Sequence, residues 1–189
     1  MIGTEGQDDP TAGLLYVDLG ADGRFKVDRE RVLTSAEVGV TLNKNHGVEG
    51  ICGAGDQLLV AIETVDQDAT GRWAPFVRIH DDTLTVSHWR LTTDGGKISA
   101  LSCTFAADGT ADVLAIERHY GVSRIVHGVA TLGTADIVPT VELDLFPINA
   151  DRLNLEGLVR LPDKRWVIVN DNQGARTDGP TELLVFHPR

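Results

Sequence analysis

The sequence predicts an all-β chain, a partial β-propeller of four-stranded antiparallel blades with about three and a half blades present. Three observations predict it. Short apolar runs alternate with Asp-Gly-type turns, the pattern of antiparallel strands joined by hairpins. No segment keeps a helical apolar spacing beyond about two turns. A motif that places one carboxylate inside an apolar strand recurs, as Gly47-Val48-Glu49-Gly50-Ile51 and Asn154-Leu155-Glu156-Gly157-Leu158. With Ser99 set opposite Glu49 and Glu156, the offsets are 50 and 57 residues, near the period of propeller blades.

In chain order, residues 1–13 are polar and read as a loop. Residues 14–19 and 25–33 read as a strand pair around the turn Gly20-Ala21-Asp22-Gly23. Residues 34–46 form a connector holding Asn43, Asn45 and His46. The regular cycle begins at residue 47. Strands are expected over 48–52 and 58–65, then a loop with Asp66, Asp68 and Gly71, then a hairpin over 76–80 and 84–91. After Asp94-Gly95-Gly96 the cycle restarts with strands over 98–105, 113–118, 122–132 and 137–145. A third cycle covers 153–161, 166–171 and 182–187. The expected units are 1–46 (the outer half of one blade plus a connector), 47–97, 98–152 and 153–189. An arc of this size leaves open blade edges, so self-association is expected.

Composition bounds the function. The 189 residues allow one domain with a sizeable core. A net charge of -11 argues against nucleic acid and against anionic membranes as partners. No apolar run is long enough for a transmembrane helix. The N-terminus lacks the basic and apolar regions of a signal peptide, so the chain as written is expected to be cytoplasmic. Cys52 and Cys103 lie in apolar runs and are expected as buried free thiols, with a disulfide left open. Trp73, Trp89 and Trp166 would suit an exposed binding rim, although strand aromatics are more often packing.

The acids carry the functional expectation. A carboxylate on a buried strand costs several kcal/mol unless it is paired or metal-bound. Glu49, Glu63, Glu117, Glu156 and Asp171 are therefore candidate calcium ligands, since calcium takes about six to eight oxygens from carboxylate-rich shells. The structural alternative is that Glu49 and Glu156 accept backbone N–H bonds and lock the inner strands. Glu63 and Glu117 are expected at equivalent strand ends. Arg118 should point away from Glu117 or pair with a neighbouring blade, and it is the best candidate for binding an anionic group. Asn172 is a second candidate substrate contact. His46, Arg118 and His119 are the candidate catalytic groups, the two histidines as proton carriers. No nucleophile elbow, Walker loop or zinc spacing occurs, so serine catalysis has no support.

These motifs, together with Asn45-His46, Leu59-Val60-Ala61-Ile62-Glu63, Leu114-Ala115-Ile116-Glu117-Arg118, Val169-Asn170-Asp171-Asn172 and Thr181-Glu182-Leu183-Leu184-Val185-Phe186, resemble the bacterial phytase-like propeller family. Its domain is described as having esterase-like activity of phytase. The order and spacing agree from about residue 14 onward. The resemblance implies a six-bladed-type propeller with acids around one channel mouth, calcium dependence, and a hydrolase acting on a small anionic substrate. The chain departs from the family by lacking a first inner strand and a secretion signal. It reads as an N-terminally truncated copy, and the resemblance implies a periplasmic or secreted setting. The expected chemistry is metal-assisted phosphoester hydrolysis at the channel mouth. The alternatives are a non-catalytic binding propeller with a structural cation, or an inactive fragment.

Overall fold

A computed structural model of the chain describes residues 1–5, 10–44, 46–149, 153–171 and 180–187. The described chain is all-β, built from several antiparallel sheets in sequence order. The first sheet holds β1 (Ile2–Glu5), β2 (Ala12–Leu19) and β3 (Phe25–Leu33). A short helix, α1 (Ser35–Val38), follows, with Thr34 and Glu37 forming a capping box. The second sheet is β4 (Val48–Ala54), β5 (Gln57–Ile62), β7 (Gly71–His80) and β8 (Thr83–Arg90), with β6 (Asp66–Asp68) folded onto the start of β7. The third is β9 (Lys97–Phe105), β10 (Ala111–His119) and β11 (Val122–Ala130). The two-residue β12 (Asp136–Ile137) returns to pair in parallel with β8. Then β13 (Thr140–Asp144) closes the third sheet beside β11, and α2 (Phe146–Asn149) follows. The fourth sheet is β14 (Asn154–Arg160), β15 (Trp166–Asp171) and β16 (Leu183–Phe186).

One apolar core lies between each successive pair of sheets. Leu14 and Leu33 meet Val60, Ile62 and Val77 between the first and second. Phe76 and Trp89, stacked at 4.4 Å, meet Val113, Ala115 and Val126 between the second and third. Leu114, Ile116 and Ile125 meet Leu155, Trp166 and Ile168 between the third and fourth. The two middle sheets are therefore covered on both faces, which is why their strands read as near-continuous apolar runs. β4 packs against β9, and β9 against β14, so each sheet's first strand borders that of its neighbour.

Four expectations are corrected. Residues 2–5, read as loop, form β1, which pairs with β2 and lies against β4; four residues are too short to show a strand period. Residues 66–68, also read as loop, form the short strand β6. All three tryptophans are buried in the cores, so none forms a rim. Cys52 and Cys103 are not free thiols: they form a disulfide between β4 and β9. Adjacent first strands bring their Cα atoms to 5.7 Å, within disulfide range, although they lie 51 residues apart in sequence.

Candidate functional site

The residues singled out by the repeat are placed by β-bulges. In β4 the register steps from Val48 to Gly50, leaving Glu49 as the extra residue. In β14 it steps from Leu155 to Gly157, leaving Glu156. Across from β10 it steps between Ile98 and Ala100, leaving Ser99. Glu49, Ser99 and Glu156 are thus equivalent, as the sequence spacing indicates. A bulge twists the strand and re-aims one side chain, which lets a carboxylate leave an apolar strand without entering the core.

The second strands need a one-residue correction. Ile62 pairs with Val48, Glu117 with Ile98, and Asn170 with Leu155. The buried Glu117 is therefore equivalent to Ile62 and Asn170, and not to Glu63. The set at the next position is Glu63, Arg118 and Asp171, whose residues alternate back out of the core. Counted between these partners, the hairpin of the fourth sheet is one residue longer than that of the second and the hairpin of the third is five longer, which hides this shift from a linear alignment.

Glu117 is fully buried and spoken for. It accepts from the Thr92 backbone N–H at 2.9 Å, the Thr92 hydroxyl at 2.8 Å and the Thr93 hydroxyl at 2.7 Å. Gly96 lies against its carboxylate with no room for a Cβ. Glu117 therefore anchors the turn between β8 and β9.

The next position forms a charged cluster where the sheets adjoin. Arg118 crosses from β10 to the fourth sheet, where Nε donates to the Leu155 carbonyl at 2.9 Å and Nη2 pairs with Glu156 Oε1. Asn154 Nδ2 donates to the same oxygen at 2.6 Å. Of the two alternatives expected for Arg118, the structure shows the one in which it pairs with a neighbouring sheet. Ser99 adds a hydrogen bond to the Leu155 carbonyl at 2.7 Å. On the other side, Lys97 Nζ reaches Glu63 Oε1 at 2.8 Å, and His46 Nδ1 lies 4.0 Å from Glu63 Oε2. His119, one residue past Arg118, feels Lys97, Arg118 and Glu63 together.

Two titratable groups in this cluster are displaced. Burial raises Glu156 above the ordinary carboxylate range, and Arg118 and Asn154 offset part of that rise. Burial lowers His119 below the ordinary imidazole value, and the nearby Lys97 and Arg118 charges lower it further. The cluster thus holds a reluctant carboxylate on one side of Arg118 and, one residue along from Arg118, a histidine that stays neutral near pH 7.

Glu63, Arg118, His119, Glu156 and His46 are brought to one region. Glu117 is turned into the turn below it. Glu49 is a half-buried bulge residue of β4, and Asp171 is the exposed end of β15, opposite Asn154. Asn172 lies outside the described residues, as does Asn45. The sequence reading missed Lys97 and Asn154. Lys97 had a usable signal, since a charged residue opens an otherwise uncharged strand there. Among the described residues, the one group of three ligand-type side chains with atoms within 4.8 Å of one another is Asp56, His80 and Asp81, exposed at the opposite end of the β4–β5 hairpin.

No helix among the described residues is long and apolar enough to cross a membrane. No family model matches the chain, and no curated protein or solved structure shows significant similarity to it.

Proposed function

We propose that the four sheets are blades of an open propeller arc and that the cluster at Arg118 binds a small anionic substrate at its mouth. The arc reading is supported by the ordered first strands, the single core between successive sheets, and the repeated bulge. The pairing of Arg118 with Glu156 across two sheets carries the binding reading. Arg118 and Lys97 are two cations held within reach of each other by carboxylates, so an incoming phosphoester can exchange places with Glu156 or Glu63. Arg118 suits that role, because its planar fork matches phosphate oxygens.

Phosphoester hydrolysis, the activity the phytase-like resemblance implies, is supported by the two displaced groups. A neutral His119 can accept a proton from an attacking water, and a carboxyl with a raised pKa at Glu156 can return one to the leaving oxygen. Calcium fits this region poorly. Glu63 and Glu156 already oppose cations, and Glu117 is filled by three donors, so these acids do not present an open oxygen shell. The Cys52–Cys103 bond supports the exported setting over the cytoplasmic one.

Titration calorimetry with inorganic phosphate, beside turnover of p-nitrophenyl phosphate, tests the reading. Arg118→Gln should remove the phosphate site at this cluster, and turnover with it. His119→Asn should keep binding and lose turnover. Binding without turnover in the unaltered chain would favour a binding propeller, and neither signal would leave the inactive fragment.

A further inference from the structure

Away from the mouth, one buried cation lacks a counter-charge among the described residues. Arg78, on β7, is only 5% exposed. Its Nη1 donates to the Gly109 carbonyl at 2.6 Å and its Nη2 to the Ala130 carbonyl at 2.9 Å, and its guanidinium faces the Phe105 ring at 5.5 Å. Carbonyls supply dipoles but no negative charge, and among the described residues no carboxylate pairs with Arg78. Burial alone disfavours its charged form, with no acid nearby to offset it. An unpaired buried ion costs several kcal/mol, so a purely structural strap would be better served by a neutral donor.

The guanidinium also borders open space. A cavity of about 360 Å³ lies beside it, lined by Leu59, Thr85, Ser87, Thr131 and Thr134. Its position follows from the register. Leu59, Arg78 and Thr85 are directly opposed across β5, β7 and β8, so they form one row on the face turned to the third sheet. The loop after β11 closes the far side. There the Thr131 and Thr134 hydroxyls bond each other, and the Ser87 hydroxyl donates to the Thr134 carbonyl at 2.7 Å.

We propose that this cavity is a binding site for a small oxyanion, a carboxylate or a phosphate, held by the Arg78 guanidinium with the Thr85 hydroxyl beside it. Two of the five guanidinium N–H groups are occupied by carbonyls, which fixes the plane and leaves the others to form a fork. The cavity volume lies at the lower end for small-molecule sites. The site lies between the second and third sheets and shares no residue with the Arg118 cluster, so it stands or falls separately from the proposed function.

Thermal melting of the full chain carrying Arg118→Gln, which removes the anion site proposed at the mouth, tests it in sodium phosphate, sodium acetate and sodium chloride at matched ionic strength. A saturable rise in Tm, on the order of 5 °C at high ligand excess, is expected with at least one oxyanion over chloride. The larger rise identifies the carboxylate or phosphate class. Thr85→Glu places a carboxylate opposite Arg78; it should melt above Thr85→Gln in chloride and show no further rise with oxyanion. Arg78→Met should lose the rise, and if it fails to fold, the Thr85 pair carries the test. No rise over chloride, or a rise that survives Thr85→Glu as general salt stabilisation would, overturns the proposal.

Discussion

At the residue scale, Glu117 and Glu156 show how similar acids on similar strands acquire different roles. Glu117 is buried with three donors aimed at it and, among the described residues, no ion-pair partner. Replacing it with Ala strands those donors and frees the turn that Gly96 presses against. Glu117→Ala should cost about 2–4 kcal/mol in urea unfolding, and Glu117→Gln less, because the amide oxygen keeps part of the acceptor role. Glu156 is held by a cation but is raised by burial. A carboxyl raised in the folded state lends stability that is full below its ordinary value of 4.5 and is lost as pH rises through the raised value. The stability of the native chain relative to Glu156→Gln should therefore fall as pH increases from 4.5. His119, lowered in the folded state, lends stability that is present above 6.5 and is lost as pH falls through its folded value. Native minus His119→Asn stability should decline on acidification below 6.5. Unfolding series at stepped pH check both signs. The sequence pointed to Glu63, Arg118, His119 and Glu156 as site residues, because a charge inside an apolar strand is visible in one dimension. It did not separate Glu117 from them, because which residues pair across hairpins of different length is invisible without the register.

At the element scale, the first strands hold the sheets together. β4 and β9 are joined by the Cys52–Cys103 bond, and Gly50 lets them approach closely. A Cβ on Gly50 would meet the Leu101 backbone nitrogen at 2.8 Å and its side chain at 2.9 Å. Gly50→Ala should therefore destabilise by about 1–3 kcal/mol, since the neighbour in the way is main chain. The disulfide closes a loop spanning 51 residues, for which chain entropy gives about 4 kcal/mol. Melting of the reduced chain, or of Cys52→Ala with Cys103→Ala, should show a loss approaching that size with the fold retained, because the core between the second and third sheets remains. Most strands were legible from periodicity and turns. β1 and β6 were not, being four and three residues long. The expected 137–145 strand splits at Val138 and Pro139, where proline cannot donate to a ladder, and the two pieces join different sheets. The disulfide was beyond periodicity, because it depends on which strands of different sheets adjoin.

At the scale of the whole molecule, the two outermost sheet faces differ from the rest. In the fourth sheet, Leu155, Trp166 and Ile168 face the third sheet. The opposite face carries Val159, Val167, Val169, Leu183 and Val185, which the register sets side by side, and Leu183 is 65% exposed. The first sheet repeats the arrangement: Leu14 and Leu33 point inward, while Ile2, Leu19, Phe25, Val27 and Val32 are exposed. Each end thus presents an apolar sheet face of the kind that is covered elsewhere in the stack, and exposed patches of this sort drive association. A net charge of -11 opposes the approach of two copies, so the balance depends on salt. Sedimentation velocity should show concentration-dependent association that strengthens as salt rises from 0.05 to 0.5 M (roughly a threefold shorter screening length). Val185→Lys with Val169→Lys should reduce it, because the charges sit at the centre of the fourth sheet's outer face. Val27→Lys should do the same from the other end if fourth-sheet faces meet first-sheet faces. If only the fourth-sheet change acts, that face pairs with itself and the assembly closes as a dimer. A chain that stays monomeric at high salt and high concentration would refute the idea that either face seeks a sheet to cover it.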